Sequence, residues 1–188
     1  TTPFQIAPFA EIEDEHFAPA LVEALHAHMA EIHAIADSPD APTFENTIEA
    51  MEGAGEALDK VLSVFYSLAG ADSTPKRQEL QRDFSPKLSA HSSAISANKA
   101  LFKRIETLWN ARDTLDLSQE QARVLMLTHR GFVRSGAALT GEQVDLMKEV
   151  KSRLATLGTQ FVQNLLKDEN SLQWFLIFLL HLLLFYLF

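Results

Sequence analysis

The residues that could do chemistry in this chain are seven histidines and twenty-five carboxylates, with no cysteine among 188 residues. Without Cys there is no disulfide, no thiolate nucleophile and no thiolate ligand for zinc or an iron–sulfur cluster, a usage that fits a reducing compartment. His26, His28 and His33 fall on one predicted helix. Two ligands on a helix converge on one ion when they stand at i and i+4 with a third nearby. His26 and His33 are seven apart near one face and His28 points elsewhere, so the trio reads as surface or partly buried histidines. His16, His91 and His129 are isolated in sequence, and His129 beside Arg130 reads as a hydrogen-bonded structural residue. The acidic run Glu11, Glu13, Asp14 and Glu15 could face a cation; it reads instead as a solvated helix entry, favoured at the positive end of the helix dipole. Glu45, Glu49 and Glu52 share a face and are expected in solvent. There is no Gly-rich phosphate loop, no Gly-x-Ser-x-Gly elbow and no His-Glu-x-x-His. The residues alone predict no catalytic and no metal-ligating side chain, and assign no substrate-binding one.

The elements that would position such residues are all helical. Thr1 to Glu13 reads as extended around Pro3 and Pro8, with Phe4, Ile6 and Phe9 free to dock on a helical body. Pro19 suits a first helical turn, and Leu21, Leu25, Met29, Ile32 and Ile35 make the first stripe, ended by Ser38 to Pro42. Thr43 opens a second helix carrying Phe44, Ile48, Met51, Leu58, Leu62, Phe65 and Leu68. Gly53 and Gly55 weaken its middle by about 1 kcal/mol each, and close helix packing would explain them. Thr74 and Pro75 start a third helix with Leu80, Phe84, Leu88 and Ile95 inward and a kink expected at Pro86. Asn98 caps a fourth, with Leu101, Phe102, Ile105, Leu108 and Trp109. Ser118 with Gln121, and Thr140 with Gln143, are capping boxes that open the two helices of a long hairpin ending near Glu169. The second of these carries Val144, Met147, Val150, Leu154, Leu157, Phe161 and Leu165 as an apolar stripe that needs partner helices. The expectation is an all-α body of about six helices, with short connections and therefore antiparallel neighbours.

Composition agrees with a globular body: 47% hydrophobic and 22% charged residues. A net charge of −9 argues against nucleic acid and acidic membrane surfaces as partners. The N-terminal residues lack a basic stretch followed by an apolar run and do not read as a secretory signal, which favours a cytoplasmic location. Residues 171–188 differ from everything before them. From Leu172 nearly every residue is Leu, Phe, Ile, Trp or Tyr, with no amphipathic period. As a helix this tail would be roughly 25 Å long, short of a bilayer core of about 30 Å. One account is a membrane anchor. The preferred account is a pyrimidine-rich stretch read in another frame, since Phe, Leu and Ile codons share U at the second position.

Five segments, taken together, resemble one family. They are Asp14-Glu15-His16-Phe17-Ala18-Pro19-Ala20, Thr43-Phe44-Glu45-Asn46-Thr47-Ile48, Phe84-Ser85-Pro86-Lys87-Leu88-Ser89-Ala90-His91, Phe132-Val133-Arg134-Ser135-Gly136-Ala137, and the run from Leu154 to Leu165. In order and spacing they are similar to the N-terminal region of the thimet oligopeptidase family of zinc metallopeptidases. The peptidyl-dipeptidase (dipeptidyl carboxypeptidase) branch looks closest, and oligopeptidase A next. The resemblance covers Ile6 to about Glu169, residues 1–170 as a region, and stops at the apolar tail.

The resemblance implies an almost wholly helical two-lobed fold around a deep channel, and hydrolysis of short peptides with release of C-terminal dipeptides. It implies zinc held by a His-Glu-x-x-His helix and a downstream Glu, with the Glu of the motif activating the bound water. Zinc therefore belongs to a complete family enzyme and not to these residues, because no position here matches a catalytic or metal residue of the family. The implied role of this stretch is to wall and cap the substrate channel, and the stretch alone is expected to be inactive. Two alternatives stand beside that reading: a helical interaction module held at a membrane by the tail, and one chain of a split enzyme that pairs with a separate catalytic chain.

Overall fold

The computed structural model describes residues 6–147 and, after them, 149–150, 153–154, 157–158, 160–161, 164–165 and 167–169. Helix is the only regular structure among the described residues. The chain divides into two compact units, Thr1–Ala138 and Leu139–Phe188. The apolar tail of residues 171–188 and the boundary expected before it lie outside the described residues, as do Pro3 and Phe4.

In the first unit, short 3₁₀ turns at Phe9–Glu11 and Asp14–His16 lead into α1, Phe17–Ala36. A π-helical stretch, Phe44–Glu49, passes directly into α2, Ala50–Gly53. Then come α3 (Glu56–Ala71), α4 (Pro75–Ser96), α5 (Lys99–Ala111) and α6 (Gln119–Ser135). Four of the predicted caps form, while at Thr140 the Gln143 N–H goes to the backbone carbonyl and no side-chain capping box is made. Thr43 and Asn46 exchange reciprocal bonds of 3.1 and 2.8 Å, and Ser118 and Gln121 do the same at 3.2 and 2.9 Å. Thr74 Oγ1 accepts from the Arg77 N–H at 3.2 Å and Asn98 Oδ1 from the Leu101 N–H at 3.0 Å. Gly136, at φ 95°, closes α6: its N–H reaches Val133 and the Ala137 N–H reaches Phe132, the paired bonds of a Schellman ending.

Two expectations are corrected. The single helix from Thr43 to Leu68 is broken, because Gly55 adopts φ 86°, a left-handed conformation that ends α2 and starts α3. A Cβ at Gly55 would sit 3.1 Å from the His28 ring, so this glycine admits close approach where its neighbour Gly53 has open space. At the N-terminus, Ile6 and Phe9 are exposed, and Ile12 is the residue that packs on the body. The Phe9–Glu11 turn carries Phe9 outward. By contrast α4 runs without interruption through Pro86, whose ring is on the exposed side.

Two apolar clusters form the core. One joins Ile32 and Ala36 of α1 to Phe44, Ile48, Leu101, Phe102, Ile105, Leu108, Leu125 and Phe132. The other joins Phe17, Leu21 and Ala24 of α1 to Leu58, Phe65, Ala69, Leu80 and Phe84. Full burial of each large side chain contributes about 2 kcal/mol. Of the expected α1 stripe Leu21 and Ile32 are buried, joined by Phe17, Ala24 and Ala36; Leu25 and Ile35 pack at the margins, and Met29 is half-buried and belongs to neither cluster.

The second unit begins with a turn at Gly141 (φ 54°), closed by bonds from the Gln143 N–H to Thr140 O and from the Val144 N–H to Gly141 O. Residues 142–147 and the later described positions to 169 are helical. Val150, Leu154, Leu157, Phe161 and Leu165 of the predicted stripe are exposed.

Candidate functional site

α1 and α4 bring together two histidines that stand 63 positions apart. His91 Nε2 lies 3.0 Å from His28 Nδ1, and the rings are inclined at 52° with centroids 4.9 Å apart. The Gly55 backbone lies against the His28 ring, and its N–H donates to Glu31 Oε2 at 2.7 Å. Burial, and then the neighbouring His28, hold His91 below the ordinary histidine range. Of the three histidines read together from the sequence, His26 and His33 are exposed and only His28 enters this cluster. No local pattern announces the pair, because the two residues meet only when α1 packs on α4.

His16 and His129 are held by local contacts. His16 Nδ1 accepts from the Glu13 N–H at 3.1 Å within a 3₁₀ turn. His129 lies stacked against Trp109 (4.8 Å) and near-parallel to Phe102 (5.9 Å), and the Arg112 guanidinium lies over the Trp109 ring, 4.4 Å from its centroid. Burial lowers the proton affinity of His129, Glu106 raises it and Arg112 lowers it. A ring held in this way is fixed for packing rather than offered to a substrate.

The acidic residues also separate. Glu11, Glu13 and Glu15 are exposed. Asp14 is not a solvated member of the run: its carboxylate accepts from Arg77 Nε at 2.7 Å, and both side chains are largely buried. That bond joins the entry of α1 to the start of α4 and raises the Arg77 proton affinity. Glu45, Glu49 and Glu52 are exposed as expected. The backbone N–H and the Thr43 hydroxyl at the cap hold Glu45 below the usual carboxylate range. Glu49, Glu52 and Glu120 line an open depression of about 610 Å³ with Phe44, Ser118, Gln121 and Val124. An apolar hollow of about 230 Å³ lies between α1 and α3, lined by Ile12, Phe17, Ala20, Val61 and Val64 with His16 and Lys60 at its rim.

Among the described residues no three His, Asp or Glu side chains are placed to hold a metal ion. The His28–His91 pair supplies two nitrogens, and Glu31, three residues after His28, accepts from the Gly55 N–H. Among the described residues, too, no helix is long and apolar enough to cross a membrane.

No protein-family model matches the chain. It is similar to curated bacterial proteins. Dipeptidyl carboxypeptidase of Salmonella typhimurium is 38% identical over 169 residues, which is 90% of this chain and 25% of that protein. The Escherichia coli protein of the same name is 36% identical over 171 residues, again 25% of its length. Oligopeptidase A of Escherichia coli is 26% identical over 173 residues, 92% of this chain and 25% of that protein. The chain thus spans about a quarter of the length of the curated relatives it matches.

Proposed function

We propose that this chain, a member by sequence of the family of dipeptidyl carboxypeptidase and oligopeptidase A, serves as a non-catalytic helical wall of a peptidase acting on short peptides. Similarity over nine-tenths of the chain to proteins of which the matched stretch is only a quarter carries this reading. In it, the peptide bond is cut by residues of the peptidase outside the matched stretch, and zinc, where the peptidase uses it, is bound there too. The helices Phe17–Ser135 contribute shape: rigid, capped elements that limit which peptides reach the cutting residues. The contacts of Glu31, Asp14 and the His28–His91 pair fit such a role, since each joins one helical element to another.

Two measurements test this. The purified 188-residue chain should release no dipeptide from short peptides, with or without added zinc. Chelator-sensitive release from a pure sample would overturn the reading. In the second, the 169 matched residues replace their counterparts in the Salmonella typhimurium dipeptidyl carboxypeptidase. The chimera should keep cutting peptides, with its preference for peptide length changed. A folded chimera with no activity would mean that the stretch does not serve as an interchangeable wall.

A further inference from the structure

We infer that the His28–His91 contact is a proton-sensitive joint between the two core clusters, which holds α4 against α1 until both rings are charged. Its position carries the argument first. On α1, Leu21 and Ala24 belong to one cluster and Ile32 and Ala36 to the other, with His28 between them. On α4, Phe84 and Leu88 pack in the first of these and Ile95 in the second, with His91 between them. The α2–α3 segment changes cluster at the same level: Ala54 packs on one side and Leu58 on the other, with Gly55 between. Three elements thus cross from one core to the other where the contacts are His28, His91 and a glycine backbone. The seam between the clusters is polar, and α4 is held there by one nitrogen–nitrogen bond of 3.0 Å.

That bond needs one proton between the two nitrogens. In the neutral pair one ring donates and the other accepts. A single added proton leaves an acceptor, so the bond survives. A second turns both facing atoms into N–H donors, and two like charges then meet in a half-buried place. The groups around the pair offset at most one of the two charges. From α1 the group is Glu31, three residues after His28, whose carboxylate accepts from the Gly55 N–H. From α4 it is Lys87, one turn before His91, exposed and of the same charge sign. At the α2–α3 joint Glu52 is exposed and Glu56 is paired with Lys60. From α5, Arg104 is committed to Ser38, Asp40 and Asn46.

The direction in pH follows. His91 in the fold lies below its ordinary 6.5, so folding disfavours its proton. The joint's contribution is therefore complete above that value, where the unfolded chain is also neutral, and falls as the pH drops below it.

Amide hydrogen exchange on the 188-residue chain, corrected for intrinsic rates, tests the joint. Between about pH 7.5 and pH 5, amides of residues 86–96 should lose about tenfold protection or more, while those of α5 and α6 keep theirs. His28→Asn, which can place a carbonyl oxygen near the position of Nδ1, should accept from His91 in either charge state and flatten the response. An α4 response that is absent in the parent chain, or equal in His28→Asn, would overturn the inference. If that variant does not fold, ring titration of the parent chain by NMR decides. Two separate steps, the lower below the ordinary histidine range, support the joint; two independent titrations near 6.5 refute it.

Discussion

The two core clusters of the first unit are fastened by the same residue type in opposite ways. In the cluster around Leu101 and Ile105, Arg104 is only 7% exposed and every partner is a neutral oxygen. Its Nη1 donates to the carbonyls of Ser38 (3.1 Å) and Asp40 (2.9 Å), and Nη2 donates to Asn46 Oδ1 at 2.9 Å. In the cluster around Phe65, Arg77 stays at the rim and meets carboxylates: Asp14 at 2.7 Å and Asp72 at 3.1 Å. The centre of that cluster is aromatic, with Phe65 against Phe17 at 5.1 Å and Phe84 at 4.8 Å. The first cluster therefore depends on a polar plug that shapes the segment between α1 and the π-helix, and the second depends on ring packing. A buried guanidinium without a carboxylate is held by geometry, since its desolvation is repaid only while every acceptor stays in place.

Phe65→Ala should have the largest effect. Phe65 is fully buried and contacts three other rings, so the cavity left behind cannot close easily. A loss of about 4 kcal/mol is expected in urea unfolding. A loss below about 1 kcal/mol would show that the second cluster is not centred on its rings. Arg104→Met comes next, with about 3 kcal/mol expected from the three lost charge-assisted bonds and the carbonyls they leave. Methionine keeps the apolar stem, so the loss reports the guanidinium. A neutral or stabilising Arg104→Met would collapse the distinction between the clusters.

How far this was legible from sequence follows the same division between local and distant contacts. Thr43, Thr74, Asn98 and Ser118 were readable as caps because each bonds an N–H three residues on. The inward positions of α5 were readable because helical spacing alone dictates them. Gly53 and Gly55 looked alike as helix weakeners, yet only Gly55 breaks the chain, because His28 and Glu31, more than twenty residues earlier, meet its backbone. The π-helical turn at Phe44–Glu49 left no periodic signature. Asp14 read as one of four solvated acids, since Arg77 is 63 residues away. The two-histidine seam was illegible for the same reason. The similarity to dipeptidyl carboxypeptidase and oligopeptidase A was legible from segment order, which needs no single diagnostic residue.

The smallest expected effect falls on the rim of the second cluster, and its size sharpens the comparison. Asp14→Asn removes one carboxylate from Arg77 and leaves Asp72, which the guanidinium reaches through both its carboxylate and its carbonyl. Thr74 still caps α4, because its hydroxyl accepts from the Arg77 N–H at 3.2 Å and donates only a long bond, 3.4 Å, to Asp14 Oδ2. Arg77 and Asp14 keep only 13% and 17% of their side-chain surface exposed, so salt screens their pair in part before it is cut. Asp14→Asn should therefore cost less than about a third of the Arg104→Met effect, and its cost should shrink further as salt rises toward about 1 M, while that of Arg104→Met stays level. Urea unfolding at two ionic strengths measures both. A salt-independent Asp14→Asn loss as large as that of Arg104→Met would mean that both clusters are held by polar fasteners, with the rings of the second contributing only bulk.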